Sequence, residues 1–187
     1  LVENPLAFDG QRYTIDFNDL EQKAASGAKL LILCSPHNPV GRVWTRDELY
    51  KLGEICIKHD ILVIADEIHC DLVRKGYRHL PFASLAKEFA YQSITCMAPS
   101  KTFNLAGLQA SHIIVPNDRL RSRLKTMPRT YALETGNAFS IPAAEVAYRH
   151  GEAWLDQLLD YIEGNLHFLM NDLKEHLPRI NAIEPEG

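Results

Sequence analysis

The chain has 187 residues, of which 46% are hydrophobic and 24% are charged, a balance typical of a soluble globular domain with its own core. Its formal net charge of -4 argues against a nucleic-acid-binding surface. No apolar run has membrane-spanning length, and no signal-peptide pattern opens the chain.

In chain order, apolar runs and helical spacings predict strands that alternate with helices. The predicted elements are a helix at 18–27, strands at 30–34 and 61–65 around a helix at 45–59, a helix at 84–89, strands at 94–98 and 110–115, helices at 118–126, 138–150 and 152–176, and a last strand at 179–183. A loop is predicted at 128–137. Strands separated by helices predict an α/β fold with a mostly parallel sheet.

The four cysteines show no CxxC spacing, and three of them lie in or beside the apolar runs. They are Cys34, Cys56, Cys70 and Cys96. This pattern favours reduced, buried thiols and a cytoplasmic protein.

Three of the predicted strands end in polar, turn-forming motifs. Asn38 follows the first strand, Asp66 closes the second, and Lys101 follows the third. In open α/β sheets, ligands bind outside the carboxyl ends of the strands, so neighbouring strands would bring these groups into one crevice. Each residue also has a structural interpretation: Asn38 suits a turn, Asp66 suits a helix N-cap, and Lys101 suits an exposed loop.

The acidic cluster after the second strand does not indicate a metal site. His69, Cys70 and Asp71 are adjacent in sequence and cannot all point at one ion. His69 alone is compatible with a packed histidine, and Glu67 with a solvated or salt-bridged residue. The glycine-rich patterns of dinucleotide and nucleotide sites are absent, as is the G-x-S-x-G elbow of serine hydrolases.

An amine, a carboxylate and an amide are the groups that pyridoxal phosphate chemistry requires. The amine forms a Schiff base with the aldehyde of the cofactor. The carboxylate pairs with the ring nitrogen, and the amide donates to the phenolic oxygen. Spacing alone does not separate this interpretation from coincidence.

Three motifs carry a resemblance to a known family. S-P-H-N-P-V-G at 35–41, A-D-E-I-H-C-D at 65–71 and A-P-S-K-T-F-N-L-A-G-L at 98–108 resemble fold-type I pyridoxal-phosphate enzymes of aminotransferase class I/II. The variants are most similar to the MalY/PatB branch of cystathionine β-lyases and C–S lyases. The resemblance implies a three-layer α/β/α large domain of the pyridoxal-phosphate-dependent transferase type.

The resemblance also implies roles for five residues. Lys101 would be the Schiff-base lysine, and the freed amine would remove the α-proton of the substrate. Asp66 would pair with the pyridine nitrogen, Asn38 with the phenolic oxygen, and Ser100 with the phosphate, although Ser100 also suits a simple turn. His69 stands where aminotransferases usually have a tyrosine near the phenolic oxygen.

Two departures from the aminotransferase pattern favour a lyase. Ala98 replaces a serine or glycine, and Gln109 replaces an arginine that helps to bind phosphate. The expected reaction is β-elimination on L-cystathionine or a related cysteine S-conjugate, which gives a thiol, pyruvate and ammonia. An aminotransferase is the first alternative, and a cofactor-sensing module of a transcription regulator is the second.

The resemblance further implies that the chain is a segment of a longer polypeptide. Residues 1–150 would be part of the large cofactor-binding domain, and 151–187 the inter-domain helix with the start of the small C-terminal domain. The full protein would be a homodimer that acts on a small amino-acid substrate, and the isolated segment would be inactive because other parts of the site lie outside it.

Overall fold

A four-stranded mixed sheet organises the protein, for which a computed structural model describes residues 1–130 and 137–187. The strands are β1 (Ala7–Phe8), β2 (Tyr13–Thr14), β3 (Leu30–Cys34), β4 (Leu62–Asp66), β5 (Ser93–Met97) and β6 (His112–Ile114). The main sheet has the order β3-β4-β5-β6, whereas β1 and β2 form a separate antiparallel pair. The first three strands of the main sheet are parallel and β6 is antiparallel, which confirms the prediction of a mostly parallel sheet.

Helices connect these strands in the alternation that the sequence predicts. They are α1 (Phe17–Ala25), α2 (Arg46–Lys58), α3 (Lys87–Tyr91), α4 (Pro99–Thr102), α5 (Asp118–Thr130), α6 (Ser140–His150) and α7 (Glu152–His176). None of the helices in the described ranges is long and apolar enough to cross a membrane.

Helix α2 shows how local sequence signals set an element and its packing. The Thr45 hydroxyl accepts a hydrogen bond from the Glu48 N–H, while the Glu48 carboxylate accepts one from the Thr45 N–H. This capping box satisfies two of the N–H groups that a helix start leaves without intrahelical partners. The apolar positions of the helix, Leu49, Leu52, Ile55 and Cys56, are buried as predicted.

The core lies on one face of the sheet. Val63 and Ala65 of β4 are buried among apolar residues of α1, α2 and α3. The opposite face is more open, since Leu30 and Ile32 of the edge strand β3 are 47% and 65% exposed. Within β4, buried residues alternate with partly exposed ones, which is the two-residue period of a strand that has one face in the core.

The strand register brings the three polar motifs to one edge of the sheet. Cys34, Asp66 and Cys96, the partners at the carboxyl ends of three parallel strands, form one row. The loop that carries Asn38 and the helix that carries Lys101 both begin at this edge. The predicted convergence of the three strand ends is confirmed.

Several predicted elements differ from the structure. Lys101 lies in the short helix α4 rather than in a loop, because the fixed φ of Pro99 suits the first helical position. Helix α5 runs to Thr130, so the loop predicted at 128–137 is wrong for 128–130, while 131–136 lie outside the described residues. No strand forms at 179–183, and β6 is shorter than predicted.

Candidate active site

Asp66 closes the middle strand of the row and is half-buried. Its Oδ1 accepts one hydrogen bond, from the Ile68 N–H at 3.3 Å. The residues after it form turns instead of a helix, so the carboxylate caps a turn and not a helix. Its second oxygen accepts no hydrogen bond from the residues that the structure describes, and it is available to a ligand.

Lys101 is exposed on α4, and its amine makes no ion pair or hydrogen bond within the described ranges. The helix itself is firmly held. Pro99 is buried, and the fully buried Thr102 donates from its hydroxyl to Asp71 Oδ2 at 2.9 Å. This bond joins α4 to the turns after Asp66, so the amine extends from an anchored support.

Asn38 lies in a tight loop after β3. The His37 N–H donates to the Arg42 carbonyl at 2.7 Å, and the Gly41 N–H donates to the His37 carbonyl at 2.8 Å. The Asn38 backbone N–H donates to the Cys34 sulfur at 3.4 Å, whereas its side-chain amide is exposed and bonds to none of the described groups. The amide therefore makes no bond to the turn.

His69 and Ser100 complete the set of predicted site residues. His69 is half-buried, and its Nδ1 is fully buried without a hydrogen-bond partner among the described residues. Leaving such a nitrogen unsatisfied costs about 1–3 kcal/mol, and the Nδ1 atoms of His37 and His79 are in the same state. Ser100 is half-buried directly before Lys101, and its hydroxyl makes no hydrogen bond within the described chain.

Neutral thiols flank the Asp66 carboxylate. Burial raises the pKa of Cys34 and Cys96, and the negative charge of Asp66 raises both further. Burial, followed by the charge of Asp71, raises the pKa of Cys70 to about 12. These thiols remain protonated near neutral pH. Of the four free cysteines only Cys56 is fully buried.

Glu67 follows Asp66 directly but belongs to the core. Its side chain is fully buried, pairs with His79 at 3.2 Å and accepts from the Phe82 N–H at 2.8 Å. Glu67 is therefore bonded to a histidine inside the protein, and the alternative of a solvated residue is wrong. Among the described residues no group of three or more histidine, cysteine or acidic side chains could hold a metal ion.

The sequence did not indicate two contacts that support the site. One is the bond between Thr102 and Asp71, and the other joins Arg42, beside the Asn38 loop, to Glu186 at 2.9 Å. Their partners lie 31 and 144 residues apart along the chain. The only local signals were the position of Thr102 next to Lys101 and the acidic cluster that contains Asp71.

Comparison with known proteins gives the class to which this arrangement belongs. The family "Aminotransferase class I and II" matches residues 6–187, and the chain belongs to this family. Its relatives include the cystathionine β-lyase PatB of Bacillus subtilis, which is 46% identical over all of this chain and 49% of its own length. MalY of Escherichia coli is 32% identical over 98% of this chain and 47% of its own length.

Solved structures agree with this assignment. A pyridoxal-phosphate-bound putative aminotransferase from Clostridium difficile superimposes with a TM-score of 0.97 at 44% identity, over 100% of this chain and 48% of that protein. The pyridoxal-phosphate-bound C–S lyase of Staphylococcus hominis gives a TM-score of 0.92 at 39% identity, over 99% of this chain and 46% of that protein. The predicted family and fold class are confirmed, and the chain spans about half the length of these relatives.

Proposed function

We propose that the full-length protein containing this chain is a pyridoxal-phosphate-dependent C–S β-lyase. Its substrate would be L-cystathionine or a related cysteine S-conjugate. The observation that carries the proposal is that Lys101, whose amine has no partner in the described chain, and Asp66, which keeps one oxygen available, both lie at one sheet edge. The 46% identity to a cystathionine β-lyase supports the choice of reaction.

The chemistry of the residues at this edge fits the cofactor. Asp66 has an oxygen available for the ring nitrogen, and the Asn38 amide has no other partner in the described chain. The hydroxyl of Ser100 would bind the phosphate, and the buried Nδ1 of His69 would gain a partner. When bound, pyridoxal phosphate supplies an electron-withdrawing ring that stabilises negative charge at the α-carbon of an amino acid.

Lys101 would have two tasks in the reaction. Its amine would bind the cofactor's aldehyde in the resting enzyme and would be displaced by the amine of the substrate. In its neutral form it would then accept the α-proton as the general base. Asp66 would hold the ring nitrogen protonated, because a carboxylate beside a basic nitrogen favours its charged form.

The elimination balances without an oxidant. The α-carbon–hydrogen bond and the β-carbon–sulfur bond break, and the electron pair of the first forms the new carbon–carbon double bond. The sulfur departs with the electrons of the second as a thiolate. Water then replaces the amino group of the unsaturated product, which gives pyruvate and ammonia.

An aminotransferase is the second candidate, because the structure with a TM-score of 0.97 carries that description. The two reactions diverge once the α-proton has been removed. A lyase would expel the β-substituent of the substrate. An aminotransferase would instead transfer the proton to the aldehyde carbon of the cofactor. Ala98 and Gln109, which replace residues usual in aminotransferases, support the lyase.

We also propose the larger organisation of the protein. Residues 1–150 would be part of the large domain, and 151–187 the inter-domain helix with the start of the small domain. The full protein would be a cytoplasmic homodimer. Exposed large apolar side chains on or beside α6 and α7 support further packing partners, and they include Phe139, Ile141, Trp154, Tyr161 and Phe168.

The test is an assay of the purified full-length protein with pyridoxal phosphate and L-cystathionine. We expect pyruvate, measured with lactate dehydrogenase, and an equal amount of free thiol. A parallel reaction contains 2-oxoglutarate and is analysed for glutamate. Glutamate without pyruvate would replace the lyase by the aminotransferase, and neither product with bound cofactor would favour a sensing module.

A further inference from the structure

The segment Glu184–Gly187 lies against the loop that carries Asn38. The Glu186 N–H donates to the Gly41 carbonyl at 2.6 Å. Gly41 has a φ of +67°, and a Cβ atom there would lie 2.5 Å from Cβ of Pro185. The close approach of the two backbones therefore requires a glycine at position 41.

A buried ionic network fixes the same contact. The Glu186 carboxylate accepts from Arg42 Nε at 2.9 Å, from the Val43 N–H at 2.8 Å and from Arg12 at 2.8 Å. Arg42 also donates to both oxygens of Glu48, at 3.0 and 2.9 Å. The side chains of Arg42 and Glu186 are 4% and 9% exposed, so losing one partner would leave a buried charge uncompensated.

The residues that Glu186 holds are those that close the loop around Asn38. The Arg42 carbonyl accepts from the His37 N–H, and Gly41 donates to the His37 carbonyl. Asn38 lies inside this closed turn, and its side chain has no contact of its own to fix it within the described chain. The position of the amide therefore depends on the far end of the loop.

We propose that Glu186 is a positioning residue for Asn38, acting through Arg42 and Gly41, and that it sets how well the Asn38 amide reaches the phenolic oxygen of the cofactor. The inference rests on the proposed function, because it assumes that Asn38 donates to that oxygen. It links the site to a segment that lies beyond the long helix α7.

The experiment measures the visible absorbance of the full-length protein with bound pyridoxal phosphate as a function of pH. A donor to the phenolic oxygen stabilises its negative charge and lowers the pH at which the absorbance band changes. Asn38→Ala is the reference variant and should raise this midpoint. Glu186→Gln should raise it in the same direction by a smaller amount, of about 0.5 pH unit.

Glu184→Gln is the matched control. Glu184 lies two residues away, is exposed and pairs with Arg74 instead of Arg42. Its variant should leave the midpoint unchanged. The double variant Asn38→Ala with Glu186→Gln should match Asn38→Ala alone, because Glu186 acts only through the amide that has been removed.

Two results would overturn the inference in distinguishable ways. If Asn38→Ala shifts the midpoint and Glu186→Gln does not, Glu186 has only a structural role, even if its variant has a lower melting temperature. If Asn38→Ala itself causes no shift, the assigned contact of Asn38 in the proposed function fails, and the role of Glu186 fails with it. Should Glu186→Gln not fold, Glu186→Asp retains the charge with a shorter reach and should give the same direction of shift.

Discussion

Two neighbouring regions at the same sheet edge differ in whether their polar side chains have hydrogen-bond partners. In the candidate site, the exposed Lys101 amine and Asn38 amide and the buried His69 Nδ1 have no hydrogen-bond partner among the described residues. In the adjoining network, Arg42 and Glu186 each bind several partners and are almost completely buried. The first set of groups is free to bind a ligand, as the proposed function requires, whereas the second forms a structural clamp.

The contrast extends to two consecutive residues. Asp66 lies in the row at the sheet edge and keeps one oxygen available, whereas Glu67 is buried and bonded to His79 and Phe82. Residue type is nearly the same at the two positions. The difference comes from where the side chains point, because successive side chains of an extended chain alternate between two sides.

Lys101→Ala in the full-length protein is the most severe test of the ligand-site assignment. If Lys101 has its proposed roles, the substitution removes both the covalent attachment of the cofactor and the base for the α-proton, so we expect kcat/KM to fall by at least about 10³-fold. Steady-state pyruvate production and the visible spectrum measure the effect. Lys87→Ala, which removes an exposed lysine on α3, is the control and should retain wild-type activity. Similar activities of the two variants would contradict the assignment.

Glu67→Ala tests the structural member of the consecutive pair. The substitution leaves His79 and the Phe82 N–H without their buried partner, so we expect the free energy of unfolding to fall by about 3 kcal/mol. Urea denaturation measures it. Asp66→Ala should cost far less stability while weakening cofactor binding. Equal losses of stability would show that the two carboxylates are not divided between the two regions as described.

Sequence patterns were sufficient for the edge of the sheet but not for its supports. Apolar runs and parallel strands place Asn38, Asp66 and Lys101 together, because each side chain follows a strand end. The sequence could not show which of these side chains have hydrogen-bond partners in the folded protein. Contacts such as Thr102 with Asp71 or Arg42 with Glu186 join distant parts of the chain, and no local pattern encodes them.

The short helix α4 shows a second limit. The sequence pattern identifies Pro99 as the end of a strand, and this residue does lie close behind β5. The same residue also starts a helix, because its missing N–H is not needed in the first turn. A single turn of helix is too short to show a hydrophobic period, so residues 99–102 carry no periodic helical signal in the sequence.

Thr102→Val tests the same contrast within α4, where a supporting residue stands next to Lys101. Valine fills the same buried volume but cannot donate to Asp71, so we expect a loss of about 1–2 kcal/mol in unfolding free energy. Chemical denaturation compares Thr102→Val, which removes the hydroxyl, with Thr102→Ser, which keeps the hydroxyl but removes a buried methyl group. The serine variant should retain most of the stability. If both variants unfold together with the wild type, the bond to Asp71 does not anchor the helix.

The smallest expected effect concerns the response of the ionic network to acid. Burial acts to raise the pKa of Glu48, but hydrogen bonds from Thr45 and Arg42 outweigh it and hold that pKa below its ordinary value of 4.5. A carboxyl whose pKa is lower in the folded protein contributes stability above the unfolded value and loses it as the pH falls through the folded value. Glu48→Gln should therefore flatten the decline of unfolding free energy below about pH 4.5, by about 1 kcal/mol or less.

Denaturation curves between pH 3 and pH 7 measure this, with the exposed Glu54→Gln variant of the same helix as the control. If Glu48→Gln and Glu54→Gln show the same acid dependence, the bonds of Glu48 contribute no more to stability than an exposed carboxylate does. The ionic network would then depend on Arg42 and Glu186 alone.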